Sequence, residues 1–266
     1  MGPEDPNPPV VLVFAGLDPS GGAGLAADVQ TLAALGCHPA PIATALTVQD
    51  TVGVQSFEPV PATLIIEQAR TVLKDMPVAA IKTGMMGSTD AIAAVAGICR
   101  RYARVPLIVD PVFRSGRGDP LSREPLCDAL RSQLFPRALL VTPNSEEARH
   151  LAPDADTLDA CAQELLSLGA QYVLITGTHE TTPEVLNRLY GNYRLLESYH
   201  WPRLAGVYHG SGCTLASACA AAIAHGADVF SAVAQAQSFT WNALKHGWSL
   251  GLGQCVPNRF FRNAPE

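Results

Sequence analysis

The residues with the plainest capacity for chemistry are His209-Gly210-Ser211-Gly212-Cys213-Thr214, which open a segment rich in alanine. Two glycines let the backbone bend until successive N–H groups face one concavity, and the helix that follows adds partial positive charge there. Such a nest holds an anion, and holds it best where negative charge grows during a reaction. Cys213, at the start of that helix, is expected to have its thiol shifted towards the thiolate, a form able to accept a proton from an alcohol. The same residues also read as a glycine-rich helix start with Cys213 as a small packed side chain. A second glycine cluster, Asp18-Pro19-Ser20-Gly21-Gly22-Ala23-Gly24, follows an apolar run near the N-terminus. Gly22, Gly24 and Ala27 match the dinucleotide fingerprint in form, but its first glycine belongs at the strand end, where Gly16 already stands. A nicotinamide dehydrogenase therefore fails on spacing. The cluster reads either as a tight turn or as a close approach of backbone to a small ligand.

These groups need elements to position them. Residues 10–15, VVLVFA, form a β-branched apolar run bounded by Pro9 and Gly16, and LAADVQTLAALG after the glycine turn has helical spacing that stops at Gly36. The alternation continues: PIATALTV, VAAIKTG, PLIVD and ALLVT read as strands, each followed by a helical stretch, and YVLIT as the last strand of the series. Strands alternating with helices imply right-handed crossovers and a mainly parallel sheet covered on both faces. After residue 180 the rhythm changes to a hairpin with Gly191-Asn192 at its turn, and then to two closing helices. One α/β domain is the economical reading.

Ligands of open parallel sheets bind beyond the carboxyl ends of the strands, which draws attention to the residues ending each run. Asp110 closes PLIVD, and Glu147 begins a helix after Thr142-Pro143-Asn144. Carboxylates so placed commonly hold Mg²⁺ beside a phosphate site. Equally, Asp110-Pro111 reads as a turn and Glu147 as a favourable charge in a first helical turn. Lys82 ends a strand, where it calls for an anionic partner or snorkels to solvent. Gln49 and Met85 alone are a polar strand end and a core filler.

Composition narrows the classes. The 266 residues carry a formal charge of −6 and only three lysines, with no clustered basic stripe of the kind that tracks nucleic-acid phosphates. Seven scattered cysteines without a C-x-x-C pair suit a reducing compartment better than a disulfide framework or a zinc site. The leader MGPEDPNPP is acidic and proline-rich, unlike a signal or transit peptide, and no long apolar window suggests a membrane span. A soluble cytoplasmic protein is the expectation.

Taken in order, VFAGLDPSGGAGLAAD, TALTVQDT, IKTGMMG, VDPVFRSGRGD, TPNSEEA and HGSGCTLASA resemble the motifs of hydroxymethylpyrimidine/phosphomethylpyrimidine kinases, thiamine-biosynthesis enzymes of the ribokinase-like superfamily. The resemblance runs from about Val10 to Trp241. It implies a three-layer αβα sandwich over residues 10–266; residues 1–9 lie outside the resemblance and are expected to form a disordered leader. It implies two successive phosphoryl transfers from ATP, giving the pyrimidine monophosphate and then the diphosphate. By the same resemblance Gln49 bonds the aminopyrimidine edge, and Gly16, Ala23, Met85 and Val112 line the ring pocket, with Asp18 in the same motif. Gly210, Ser211, Gly212 and Cys213 form the anion hole, with Cys213 as general base. Asp110 and Glu147 lie near Mg²⁺, Asn144 lies beside the triphosphate, and Lys82 and Thr176 are on the ATP side. A homodimer is implied as well.

Three departures touch the nucleotide side. Thr176-Gly177-Thr178-His179 stands where many members have K-G-G-H, LAGVY precedes HGSGC, and the segment after DPV carries Arg114 and Arg117, either of which is a candidate for the missing charge. The alternatives left open are a pyridoxal kinase and a pyrimidine-binding protein without catalysis.

Overall fold

The computed structural model describes residues 7–113 and 126–263. Arg114 and Arg117, and the first six residues of the expected leader, lie outside the described residues.

The alternation of strand and helix becomes one nine-stranded sheet, in the order β3-β2-β1-β4-β5-β6-β7-β8-β9. Its parallel centre comprises β1 (Val10–Leu17), β2 (His38–Gln49), β4 (Val78–Thr83), β5 (Leu107–Val109), β6 (Leu140–Val141) and β7 (Tyr172–Ile175). The antiparallel edges are β3 (Val54–Pro59), β8 (Glu184–Gly191) and β9 (Arg194–Pro202). The sequence pattern had not marked β3, because its burial shows no clean alternation on an edge strand.

The period of two along β1 divides the core. Val10, Leu12 and Phe14 face a layer formed by α2 (Ala62–Asp75), α3 (Thr89–Arg101), α4 (Leu126–Ala129), α5 (Ser145–Leu151) and α6 (Leu158–Ser167). Val11, Val13 and Ala15 face α1 (Gly24–Ala34) and α7 (Ser211–Ala224), beside which α8 (Val229–Lys245) completes the third layer. The same parity puts Lys82, two residues after Ala80, and Asp110, two after Ile108, on the α1/α7 side. Alanines at 216, 218, 220 and 221 leave α7 little width, which lets it lie deep between α1 and α8.

Two expectations are corrected. The hairpin turn is Asn192-Tyr193, both with positive φ (49° and 56°), while Gly191 is still paired with Arg194. The Gln163 amide donates to the Tyr193 carbonyl at 2.6 Å and so helps hold the turn. LCDALRSQLF is helical in the α form only over its first turn; it then widens to a π turn at Leu130–Leu134 and tightens to a 3₁₀ turn at Phe135–Arg137.

Candidate active site

The carboxyl ends of β1, β2, β4, β5, β6 and β7 and the N-terminus of α7 enclose one cleft. Of the fifteen residues singled out in the sequence, thirteen line it; Asp18 and Lys82 do not. Gly16, Ala23, Gln49, Met85 and Val112 lie in one wall, and the Gln49 amide donates to Thr47 Oγ1 at 2.6 Å. Gly210 to Cys213 form another wall, with Asp110, Asn144, Glu147 and Thr176 in the remainder of the lining.

Gly210 caps α7 in the left-handed region at φ 77°. A side chain there is excluded twice over: by that φ, and because a Cβ would lie 2.1 Å from the carbonyl oxygen of Gly22. The nest is thus pressed against the glycine turn after β1. That turn is organised by Asp18, whose carboxylate accepts from Ser20 N, Ser20 Oγ and Ala23 N, and from His209 Nε2 at 2.8 Å. Burial pushes the Asp18 carboxyl up, but the bonds from His209, Ser20 and Ala23 outweigh it and leave it below its usual value. Asp18 is 1% exposed, so it shapes the wall from behind.

Lys82 likewise sits beneath the floor. Fully buried, its ammonium donates to Asp28 Oδ1 at 2.9 Å and stands 4.0 Å from Asp110 Oδ2. Ser217 of α7 donates to the same Asp28 oxygen at 2.7 Å. The anionic partner foreseen for Lys82 exists, but it is a protein carboxylate. Asp28 escaped notice in the sequence; an aspartate on the inward face of an alanine-rich helix was the available signal.

Three titrating groups are held away from their ordinary values. Burial pushes Asp110 up to about 6 despite the opposing Lys82 charge. Burial, reinforced by the charge on Asp110, pushes Glu147 up to about 8. Asn144 Oδ1 accepts from Glu147 N and Glu147 Oε2 accepts from Asn144 N, both at 2.9 Å, so Glu147 closes a capping box at the start of α5 and also lines the cleft. The Cys213 thiol goes against expectation. Burial pushes it up to about 12, and the Lys82 charge only partly offsets this.

On the far side of Ser211 and Gly212 a second cavity opens, unmarked in the sequence. Trp201 of β9 and Trp241 of α8 line it as a stacked pair, with centroids 6.0 Å apart. Gln237 Oε1 accepts from Trp201 Nε1 at 3.1 Å and from Asn187 Nδ2 at 2.8 Å, and Asn187 Oδ1 accepts from Gly177 N. Arg203 donates to the carbonyls of Thr178, Glu180 and Thr182, fixing the loop after β7. Thr176, where a lysine was missed, borders both cavities, its backbone tied to Pro143 and Ser145.

Among the described residues, no group of three or more His, Cys, Asp or Glu side chains is arranged to hold a metal ion, and no helix is long and apolar enough to cross a membrane.

The phosphomethylpyrimidine kinase family model matches residues 18–258. A hydroxymethylpyrimidine/phosphomethylpyrimidine kinase of Mycobacterium tuberculosis is 41% identical over 268 residues, covering 98% of each chain. Among solved structures, an ADP complex of Bacillus subtilis pyridoxal kinase superposes with a TM-score of 0.86 at 29% identity, over 97% of this chain and all of that one. The phosphomethylpyrimidine kinase of Clostridium difficile gives 0.76 at 31% identity, over 87% and 97%. The architecture is therefore the expected ribokinase-like sandwich. With a model match over most of the sequence and a close relative along nearly all of it, the chain belongs to the phosphomethylpyrimidine kinase family.

Proposed function

We propose that this kinase transfers a phosphoryl group from ATP to the hydroxymethyl oxygen of 4-amino-5-hydroxymethyl-2-methylpyrimidine, and a second one to the resulting monophosphate, in the synthesis of thiamine diphosphate. The observation that carries this reading is the wall shared by the two cavities. Ser211 and Gly212, at the N-terminus of α7, border both the cleft with Gln49 and Met85 and the cavity with the two tryptophans. A nest between an amide-bearing pocket and an aromatic pocket suits a phosphoryl group passing between a small heterocycle and a nucleotide.

In this reading the pyrimidine lies against Met85 and Val112, with its amino edge at Gln49 and its hydroxymethyl group towards Cys213. The adenine occupies the tryptophan cavity and the triphosphate runs past Thr176 and Asn144. The hydroxyl oxygen attacks the γ-phosphorus and the bond to the β–γ bridging oxygen breaks. ADP departs, and the hydroxyl proton passes to the Cys213 sulfur in its thiolate form, which becomes the thiol. The N–H groups of the nest stabilise charge on the transferring group. Asp110 and Glu147 suit Mg²⁺: they offer hard oxygen donors, Asp110 Oδ2 is buried without a hydrogen-bond partner, and this ion commonly takes one or two carboxylates together with substrate phosphates. When bound, the ion neutralises phosphate charge. Lys82 and Asp18 serve from behind, as counter-ion and turn organiser. A homodimer in the cytoplasm completes the proposal.

The test is a phosphate-balance assay with purified protein, Mg-ATP and the hydroxymethylpyrimidine, products being resolved by mass. Monophosphate followed by diphosphate supports the reading. The full-length match to a pyridoxal kinase favours a second substrate, so pyridoxal belongs in the same assay. Tight pyrimidine binding without ATP consumption would overturn catalysis.

A further inference from the structure

Arg259 enters from the segment after α8 and is 1% exposed, yet no described carboxylate forms an ion pair with it. Its donors go instead to neutral oxygens on three elements. Nη2 donates to the Gly22 carbonyl at 2.6 Å, and Nη1 to the Gly21 carbonyl at 3.4 Å and to Gln30 Oε1 at 3.1 Å. Nε donates to Thr214 Oγ1 at 3.0 Å, and that hydroxyl in turn donates to the Gly210 carbonyl at 2.8 Å. Asn258 N, bonded to the Ala243 carbonyl at 2.9 Å, anchors the segment to α8.

A buried cation with no carboxylate in ion-pair contact is costly: burial draws this guanidinium down to about 10, and the more distant charges of Asp28 and Asp18 only partly offset it. A neutral packed side chain would fill the same space more cheaply. What only a guanidinium supplies is a rigid planar fork that holds two successive carbonyls and a hydroxyl at once. Those carbonyls belong to the turn beside the pyrimidine wall, and the hydroxyl belongs to the first turn behind the nest.

We infer that Arg259 is a positioning residue, locking the Gly21-Gly22 turn to the start of α7 so that the substrate hydroxyl and the nest stay in register. The inference rests on the proposed kinase reading of the cleft. Register governs the chemical step more than occupancy, because a displacement of about 1 Å in a reacting pair costs on the order of a hundredfold in rate.

Arg259→Lys keeps the charge and loses the fork, while Arg259→Met loses both. Each is assayed with Mg-ATP and the hydroxymethylpyrimidine, or with pyridoxal if the native chain prefers it, well below its own melting temperature. The expected result is a fall in kcat of roughly 10- to 100-fold in both, with the KM of the acceptor changed by less than about threefold. Added guanidinium should restore part of the rate to Arg259→Ala, and methylammonium should not. A folded Arg259→Lys with kcat within about threefold of native overturns the inference. If the arginine variants do not fold, Thr214→Val carries the test: it keeps the shape and removes the relay from Arg259 to Gly210. A lower kcat at unchanged KM supports the inference, and native kcat overturns it. A native chain that phosphorylates neither acceptor overturns the kinase reading itself, whereas an active native chain with indifferent variants overturns the role of Arg259 alone.

Discussion

Cys213 carries the sharpest tension at the residue scale, because the base of the proposed reaction is a thiol that burial holds protonated near neutral pH, at a value of about 12. If the thiolate is the acting form, its fraction grows with pH throughout the range below that value. The pH profile of kcat at saturating substrates is then expected to keep climbing from pH 7 to 9 instead of levelling, and Cys213→Ala to lose roughly 10²- to 10⁴-fold in kcat with its slope flattened. A variant with near-native turnover removes Cys213 from the base role. Glu147 offers a stability test of opposite sense. Its folded value, about 8, lies above the ordinary 4.5, so the folded state holds the extra proton and stability falls as pH rises through that window. Glu147→Gln keeps an oxygen for the Asn144 N–H and should melt roughly 2–4 °C higher than native at pH 9, the gain shrinking to nothing below pH 4.5 while activity drops. A melting temperature equal to native at pH 9 would show that the carboxylate is not strained by burial. Glycines and strand-end carboxylates could be read from the chain because their types and neighbours declare them. The partners of Asp28 and Arg259 could not: each acts on groups far away in sequence, Lys82 and Ser217 for one and Gly22 and Thr214 for the other.

At the scale of elements, the N-terminus of α7 depends on a contact that no local rule describes. The nest was legible in HGSGCT because turn and helix-start chemistry is local, but its pairing with the turn after β1 joins residues near 20 and 210. His209 to Asp18 and Gly210 against Gly22 make that joint. Gly210→Ala tests it. The substitution imposes a left-handed φ on a residue with a Cβ and drives that carbon into the Gly22 carbonyl. Strain of both kinds amounts to roughly 2–5 kcal/mol, enough to lower the denaturant midpoint clearly. Kinase activity should fall further than stability, since relief comes from parting the two walls. Native activity in the folded variant would mean that the walls can separate without cost to the reaction. The parallel centre of the sheet was legible from alternating apolar runs, whereas β3 was not. An edge strand with one face open carries too weak a pattern, and only its register against β2 defines it.

For the whole molecule, the topology divides labour between two ends of one sheet. The β1–β2–β4 side supplies the wall with Gly16, Gln49 and Met85, to which the proposal assigns the pyrimidine, and the antiparallel β8–β9 hairpin with α8 supplies the tryptophan cavity, with α7 between them. The second cavity was invisible in sequence because Trp201 and Trp241 are forty residues apart, on a strand and a helix that meet only once the hairpin folds back over α8. This separation predicts a spectroscopic asymmetry. The third tryptophan, Trp248, lines neither cavity, so a nucleotide-specific signal must come from the stacked pair. Titration with ADP or AMP-PCP is expected to change tryptophan fluorescence, and titration with the hydroxymethylpyrimidine alone to leave it nearly unchanged. Trp241→Leu should abolish most of the nucleotide signal and raise the KM for ATP about tenfold or more, in line with the worth of a base–aromatic stack, while the pyrimidine KM stays near native. If the pyrimidine instead produces the signal and the ATP KM is indifferent to Trp241, the two ends of the sheet have been assigned the wrong way round, and the phosphoryl group would cross α7 in the opposite direction.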